Sequence, residues 1–452
     1  MSTAPTARID GPTGWLVASA ACLLNAWSFA TFYAYATAVQ QVRDEFSASL
    51  SSFGFVFGLT MFGVFCCGLV TGPLVDRFGA RPLVLCGSVF ITSGLYLSAQ
   101  ATSLIGVYVT YSIGVGAGIG LYLVPITAAV SGWFDKRRAS GLGLSTAGIG
   151  IGTLTVPIFE RMINSIGWRS SFELMALGSL GVYLLAGVAM RPPPSRPLPN
   201  AAADRAHVVR SMRTPEFSRL YFSGLAMSLA LFAPFVFLYD YATERGVSGP
   251  LASALITLLG VGSVVGRLGI GPFAERVGVL PSVVLAFAVQ PVAYLIWLAA
   301  GGTYGLMALF ALVLGVGYGG YVALSPTAAA QCFGLQGLGR LLGVLYTSAG
   351  TGALFGPLML GMVIEHAGYR TAILLSVGLG GLATAIAIPL WRDFRLGTGA
   401  ARTRRTGSPD PQVFAVEWVI DLDAPPPDRA GASAPDRSTS DRPPQSISGA
   451  GS

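Results

Sequence analysis

The chain has 452 residues, of which 53% are hydrophobic and 11% charged, with a mean hydropathy of +0.64. Soluble domains carry about 25% charged residues, so composition alone excludes an ordinary soluble enzyme and indicates a polytopic membrane protein. The net charge of +7 comes from 28 basic residues, all arginine except Lys136, and it is concentrated between apolar runs. That placement is a topology signal and not the footprint of a nucleic-acid partner.

A membrane-crossing helix needs about 20 mostly apolar residues. Twelve runs meet that length: 15–39, 51–72, 82–100, 104–130, 139–160, 168–190, 216–242, 251–272, 280–300, 303–330, 341–364 and 370–391. Met1–Pro12 is polar and the first run is long, so no cleavable signal peptide is expected. The predicted organisation is an N-terminus over 1–14, a six-helix bundle over 15–190, a linker over 191–215, a second bundle over 216–392 and a tail over 393–452. The tail is rich in Pro, Ser, Asp and Arg and is expected to be disordered. With the even-numbered turns placed inside, the inner loops hold thirteen basic residues (among them Lys136, Arg191 and Arg205). The outer loops hold five: Arg43, Arg161, Arg169, Arg245 and Arg370. The bias predicts a plasma-membrane protein with both termini cytoplasmic.

The two halves repeat at an offset near 200 residues. Gly72-Pro-Leu-Val-Asp76-Arg77-Phe-Gly79 after run 2 matches Gly271-Pro-Phe-Ala-Glu275-Arg276-Val-Gly278 after run 8. Gly114, Gly116 and Pro125 match Gly315, Gly317 and Pro326, while Gly152 and Pro157 match Gly352 and Pro357. Duplicated six-helix halves are the mark of alternating-access transporters with a site between the halves. The stretch Gly72 to Arg81, Gly-x-x-x-Asp-Arg-x-Gly-x-Arg, resembles the signature loop of the major facilitator superfamily. The resemblance implies an all-α membrane fold of twelve helices in two pseudo-symmetric bundles. It also implies a cytoplasmic gate built from Asp76, Arg77, Arg81, Glu275 and Arg276.

Four stretches further resemble the monocarboxylate transporter family, in the manner of a bacterial member: Asp10-Gly11-Pro-Thr-Gly14-Trp15, Trp133-Phe134-Asp-Lys136-Arg137-Arg138, Gly167-Trp168-Arg169-x-Ser-Phe172 and Leu231-Phe-Ala-Pro234-Phe-Val-Phe-Leu238. The family's carboxylate-pairing arginine falls on Arg267. Its aspartate four residues earlier falls on Ser263, and the coupling lysine of its animal members falls on Tyr33. The ionisable pair of those members is therefore absent. Asp240, near the outer end of run 7, is the candidate replacement for proton coupling, and substrate exchange or facilitated diffusion are the alternatives.

Arg267 stands in Leu251–Pro272 with no acidic neighbour within a helical turn. An arginine at mid-bilayer costs from about 3 to well over 10 kcal/mol, so it faces a cavity or a partner, unless it snorkels to the surface. Arginine keeps its proton in proteins, and the position therefore calls for an anion. Ser263, Asn25, Tyr33, Tyr122, Tyr318, Tyr321 and Tyr346 are the polar side chains expected to line a carboxylate site, each with a purely structural hydroxyl or amide as the alternative. Run 11 holds no Lys, Arg or His, so one fixed cation is set against one carboxylate. The leading substrate is a small monocarboxylate such as lactate or pyruvate. A dicarboxylate or formate-type exchanger and an efflux transporter are the competing readings.

No cofactor or metal is expected. The cysteines (Cys22, Cys66, Cys67, Cys86 and Cys332) lack metal-ligand spacing and read as packing residues. The histidines His207 and His366 fit no catalytic arrangement, and the glycine runs Gly114–Gly120 and Gly148–Gly152 read as helix-packing surfaces and not as nucleotide loops. The expected partners are a small organic anion, protons and the lipid bilayer, with a monomer as the working unit.

Overall fold

The computed structural model describes residues 8–46, 50–194 and 201–395 as fifteen helices, with no strand among the described residues. The first half comprises α1 (Pro12–Phe46), α2 (Leu50–Cys66), α3 (Gly68–Phe78), α4 (Ala80–Gln100), α5 (Leu104–Trp133), α6 (Arg138–Leu154), α7 (Val156–Ile166) and α8 (Trp168–Ala189). After α9 (Ala201–Met212) come α10 (Pro215–Leu231), α11 (Ala233–Thr243), α12 (Gly249–Val277), α13 (Val279–Ala300), α14 (Tyr304–Phe333) and α15 (Leu338–Arg395).

These fifteen elements resolve into the twelve predicted crossings. Runs 2, 5 and 7 are each two helices meeting at Cys67, Thr155 and Phe232, residues that keep near-helical backbone angles. Pro157 and Pro234 sit just after two of these breaks, where a proline cannot donate to the preceding turn. By length and apolarity, ten helices are able to cross a membrane, or eleven with α6 and α7 joined across their 40° bend. The twelfth is hidden in α15. Its 58 residues are far longer than one crossing, and Gly368 breaks them with φ 77° and ψ 168°. Gly167, at the matching turn of the first half, has φ 83° and ψ 160°. A backbone in this region disfavours a Cβ, which explains why a glycine recurs at both turns.

The helices are held by close backbone contact. A Cβ on Gly114 would collide with the backbone of Gly94, locking α5 onto α4. Gly148 and Gly152 seat α6 on α1, and their counterparts Gly352 and Gly356 seat α15 on α10. Gly262 and Gly266 of α12 interleave with Gly315 and Gly319 of α14 in the same way. Such small-residue faces replace the hydrophobic driving force that helices lack inside lipid.

The halves meet along two seams. On one, α6 lies against α12, with Gly143 on the carbonyl of Arg267 and Gly271 on Ser140. On the other, α3 lies against α15, with Gly68 on Gly343 and Gly72 on Gly339. Residues 191–215 are not a plain linker, because α9 buries Asp204, Val208 and Ser211 at i, i+4 and i+7 against the second half. Its mixed composition hid this amphipathic turn pattern from a hydropathy reading. Residues 396–452, the bulk of the predicted tail, lie outside the described residues.

Candidate functional site

Arg267 is fully buried (0% exposed) in the interior of α12. Its Nη1 donates to Ser263 Oγ, one turn earlier on the same face. The guanidinium carbon stands 4.7 Å from the centroid of the Tyr318 ring of α14, and that ring packs edge-on against Phe235 of α11, with centroids 6.1 Å apart. The opposite half contributes as much. A Cβ on Gly150 of α6 would stand 3.3 Å from Arg267 Nη1, so the bare glycine makes room for the guanidinium. Tyr33 of α1 lies within electrostatic reach of both Arg267 and Tyr318, and its hydroxyl meets the Thr153 side chain of α6. The arginine thus bridges the α6–α12 seam.

Two of its donors are unused. Nε and Nη2 are buried without a hydrogen-bond partner, and no carboxylate pairs with Arg267 among the described residues. A buried cation without its counter-charge costs several kcal/mol. Nε and an Nη also form the edge of the guanidinium that grips two oxygens in parallel. The arrangement has the chemistry of an anion site waiting for a planar oxyanion.

The other polar candidates divide between this cluster and separate networks. Asn25 donates through Nδ2 to the Ser145 carbonyl at 2.9 Å, and Tyr122 donates to Asn25 Oδ1 at 3.4 Å. The ring of Tyr122 meets Tyr183, whose hydroxyl is 2.9 Å from Ser28 Oγ. Both candidates therefore sit in a network internal to the first half. Tyr318 and Tyr321 share a helical face by spacing, yet only Tyr318 meets Arg267. Tyr321 packs on Phe287, with centroids 4.9 Å apart, and points its hydroxyl at Gly224. Tyr346 reaches across the other seam to the Thr127 side chain. Asp240 is exposed in the last turn of α11, one turn before Glu244, and makes no recorded contact with the Arg267 cluster among the described residues.

The end of the bundle that carries α9 is latched twice. Asp76, in the last turn of α3, accepts from the amides of Gly339 and Arg340, both at 3.1 Å, and so caps α15 of the opposite half. Arg340 Nε adds an ion pair with Asp76 at 3.9 Å. Glu275, in the last turn of α12, accepts from the Ser140 amide at 3.1 Å and caps α6 of the first half. Carboxylates at helix N-termini satisfy orphan donors and meet the positive end of the helix dipole. Of the predicted gate arginines, Arg77 stacks on the neighbouring Phe78 ring at 5.0 Å, and no cross-seam contact is recorded for Arg77, Arg81 or Arg276. Arg340 takes the basic role instead. Asp10 adds a third cap: its carboxylate accepts from the amides of Asp135, Lys136 and Arg137, each at 3.2 Å. Sequence reasoning missed Gly150, Thr153, Phe235 and Arg340 as site or gate residues. Gly150 was visible only as a member of a glycine run, and nothing in the local sequence pairs Arg340 with Asp76.

With this architecture in view, comparison with known proteins is decisive at the family level. The sequence model of the Major Facilitator Superfamily matches residues 21–239 and again 220–420. The chain belongs to the Major Facilitator Superfamily. It is a multi-spanning membrane transporter and not an enzyme. This facilitator is similar to monocarboxylate transporter 11 of Mus musculus, 28% identical over 83% of this chain and 86% of that one. It is also similar to the MFS transporter asaE of Aspergillus flavus, 28% identical over 80% and 83% of the two chains. The agnestins efflux protein AgnL12 of Paecilomyces divaricatus is 27% identical over 77% and 78%. Among solved structures, the fold matches FucP in its outward conformation with a TM-score of 0.67 at 18% identity, covering 82% of this chain and 97% of that one.

Proposed function

We propose that this facilitator carries small monocarboxylates across the plasma membrane by alternating access, with the Arg267 guanidinium gripping the carboxylate. The observation that carries the reading is the pair of buried, unpartnered donors on Arg267, Nε and Nη2, with no acidic residue to neutralise them. One fixed positive charge is balanced by one carboxylate. Ser263, Tyr33 and Tyr318 complete the cluster: Ser263 holds one nitrogen of the guanidinium, and the two tyrosines wall the cavity from either half. The similarity to monocarboxylate transporters supports the same substrate class. The α9 side, with its latch, is assigned to the cytoplasm on the arginine bias of the loops.

The aromatic wall formed by Tyr33, Tyr318 and Phe235, together with the efflux relative, favours a second reading in which the carboxylate belongs to a larger organic acid that is exported. Both readings share Arg267. Uptake and counterflow in proteoliposomes, using lactate, pyruvate, a dicarboxylate and an aromatic monocarboxylate, separate them. Wild type is expected to move a monocarboxylate, and Arg267→Ala and Arg267→Lys to abolish it, because lysine lacks the planar two-point grip. Transport of neutral solutes unchanged by Arg267→Ala, with no carboxylate moved by wild type, would overturn both.

A further inference from the structure

A second cationic site lies on the latch side, remote in sequence from Arg267. An open cleft of about 810 Å³ runs between α9 and the first turn of α15. Arg205, Arg210, Arg213 and Arg340 line it, with Ala202 and Ala206 on the α9 side. None of the described residues lining the cleft is acidic. The placement follows from how α9 is seated. Its buried edge, Asp204, Val208 and Ser211, is anchored to the second half. Gln336 Nε2 donates to Asp204 Oδ1 at 3.3 Å, and His207 Nε2 lies 2.9 Å from the Phe333 carbonyl. With that edge fixed, the residues one position further round, Arg205, Val209 and Arg213, are turned outward into the cleft at i, i+4 and i+8. The anchoring therefore orients the arginines as a set.

We infer that this cleft binds a phosphate group carried by a lipid headgroup or by a soluble anion. Four guanidinium groups converging on one open volume repel one another unless an anion sits among them, and arginine cannot relieve the repulsion by losing its proton. Phosphate oxygens accept parallel N–H pairs from several arginines at once, which a lone carboxylate cannot do for four of them. The level in the membrane fits a headgroup. Arg213 lies two residues before Pro215, the first residue of α10, and Arg340 lies in the first turn of α15, so the cleft opens where two crossings begin. Exposed Val209 and Met212 flank the arginines on the same helix and suit an acyl-chain boundary. Because Arg340 also pairs with Asp76, an anion in the cleft shares a residue with the latch.

The test is binding to the full-length purified protein in detergent, titrated with short-chain phosphatidylglycerol, inorganic phosphate and short-chain phosphatidylcholine as the net-neutral control. Wild type is expected to bind phosphatidylglycerol, inorganic phosphate or both in preference to phosphatidylcholine. Saturation by phosphatidylglycerol alone identifies a lipid source, and saturation by inorganic phosphate a soluble one. The triple variant Arg205→Gln/Arg210→Gln/Arg213→Gln is expected to weaken binding at least tenfold. Val209→Glu, which sets a carboxylate in the cleft with every arginine retained, is expected to weaken it in the same direction. Arg267→Ala should leave this binding unchanged, which keeps the outcome separate from that of the transport reading. Equal binding by wild type and both cleft variants, or no preference for the two anions over phosphatidylcholine, overturns the inference.

Discussion

Asp76 and Glu275 stand at equivalent places in the two repeats, and each caps a helix that belongs to the other half. The chain is therefore crossed twice at one end, by two carboxylates working in opposite directions. Both caps must release if the halves are to part there. Since the two act on separate helices, they can be weakened independently.

Removing one cap should loosen that end without unfolding the bundle. Loss of an N-cap costs about 0.5–2 kcal/mol. Asp76→Ala and Glu275→Ala are each expected to raise the reactivity of cysteines introduced along the α3–α15 and α6–α12 seams on the α9 side, and the double variant to raise it further. Reactivity unchanged in all three would remove the latch assignment.

The Tyr318 ring lies over the Arg267 guanidinium at 4.7 Å. A desolvated cation–π contact contributes up to about 2 kcal/mol and depends on the ring, not on the hydroxyl. Tyr318→Phe should therefore keep substrate affinity within about twofold, while Tyr318→Leu should lose it by roughly tenfold or more. A fall of equal size in both variants would point to the hydroxyl instead.

Glycines within a half and glycines across a seam should respond differently to an added methyl. On Gly319 a Cβ would run into the Ser263 backbone inside the second half. Overpacking of this kind costs about 1–3 kcal/mol, and Gly319→Ala should lower the melting temperature. On Gly143 the Cβ would meet the carbonyl of Arg267 across the seam. Gly143→Ala should leave melting nearly unchanged and shift the protein toward the conformation open on the α9 side, read by cysteine accessibility.

At the opposite end, Glu45 accepts from Arg169 Nη2 at 2.6 Å and from Trp168 Nε1 at 2.8 Å. Partial burial pushes its carboxyl upward, but these hydrogen bonds and the arginine charge outweigh burial, and the net shift is below the ordinary 4.5. A depressed carboxylate contributes stability above its unfolded value and loses it as pH falls through the folded one. The pair is well exposed, so its contribution is about 0.2–1 kcal/mol. Wild type should melt slightly above Glu45→Gln at pH 7, and the gap should close as the pH is taken below 4.5. A gap that widens on acidification would contradict the assignment.

What could be read from the sequence depended on whether a property was periodic or pairwise. The crossings were legible because 20-residue apolar runs and matched glycines announce themselves; even the break at Gly368 was foreshadowed by the gap between runs 11 and 12. Arg267 stood out because a charge in an apolar run is rare. The company it keeps was harder to see. Tyr318 and Tyr321 are indistinguishable by spacing, and only the tilt of α14 against α12 selects one of them. Asn25 and Tyr122 looked like site residues because buried polar groups in a membrane suggest function, whereas here they satisfy each other and a backbone carbonyl. Thr153 and Arg340 matter through contacts more than a hundred residues away, which no local pattern encodes.

The placement of Arg267 on the α6–α12 seam has a kinetic consequence. The backbone of this residue rests on Gly143 and its side chain reaches Gly150, so the guanidinium is sealed for as long as those two helices stay together. On the proposed reading, an unloaded protein that passes through the sealed form carries a bare cation away from water, whereas a loaded one carries a neutral pair. The penalty falls on the empty journey alone, and the return of the vacant carrier becomes the slow limb of the cycle. Labelled carboxylate should then leave preloaded vesicles several-fold faster when unlabelled carboxylate waits on the other side.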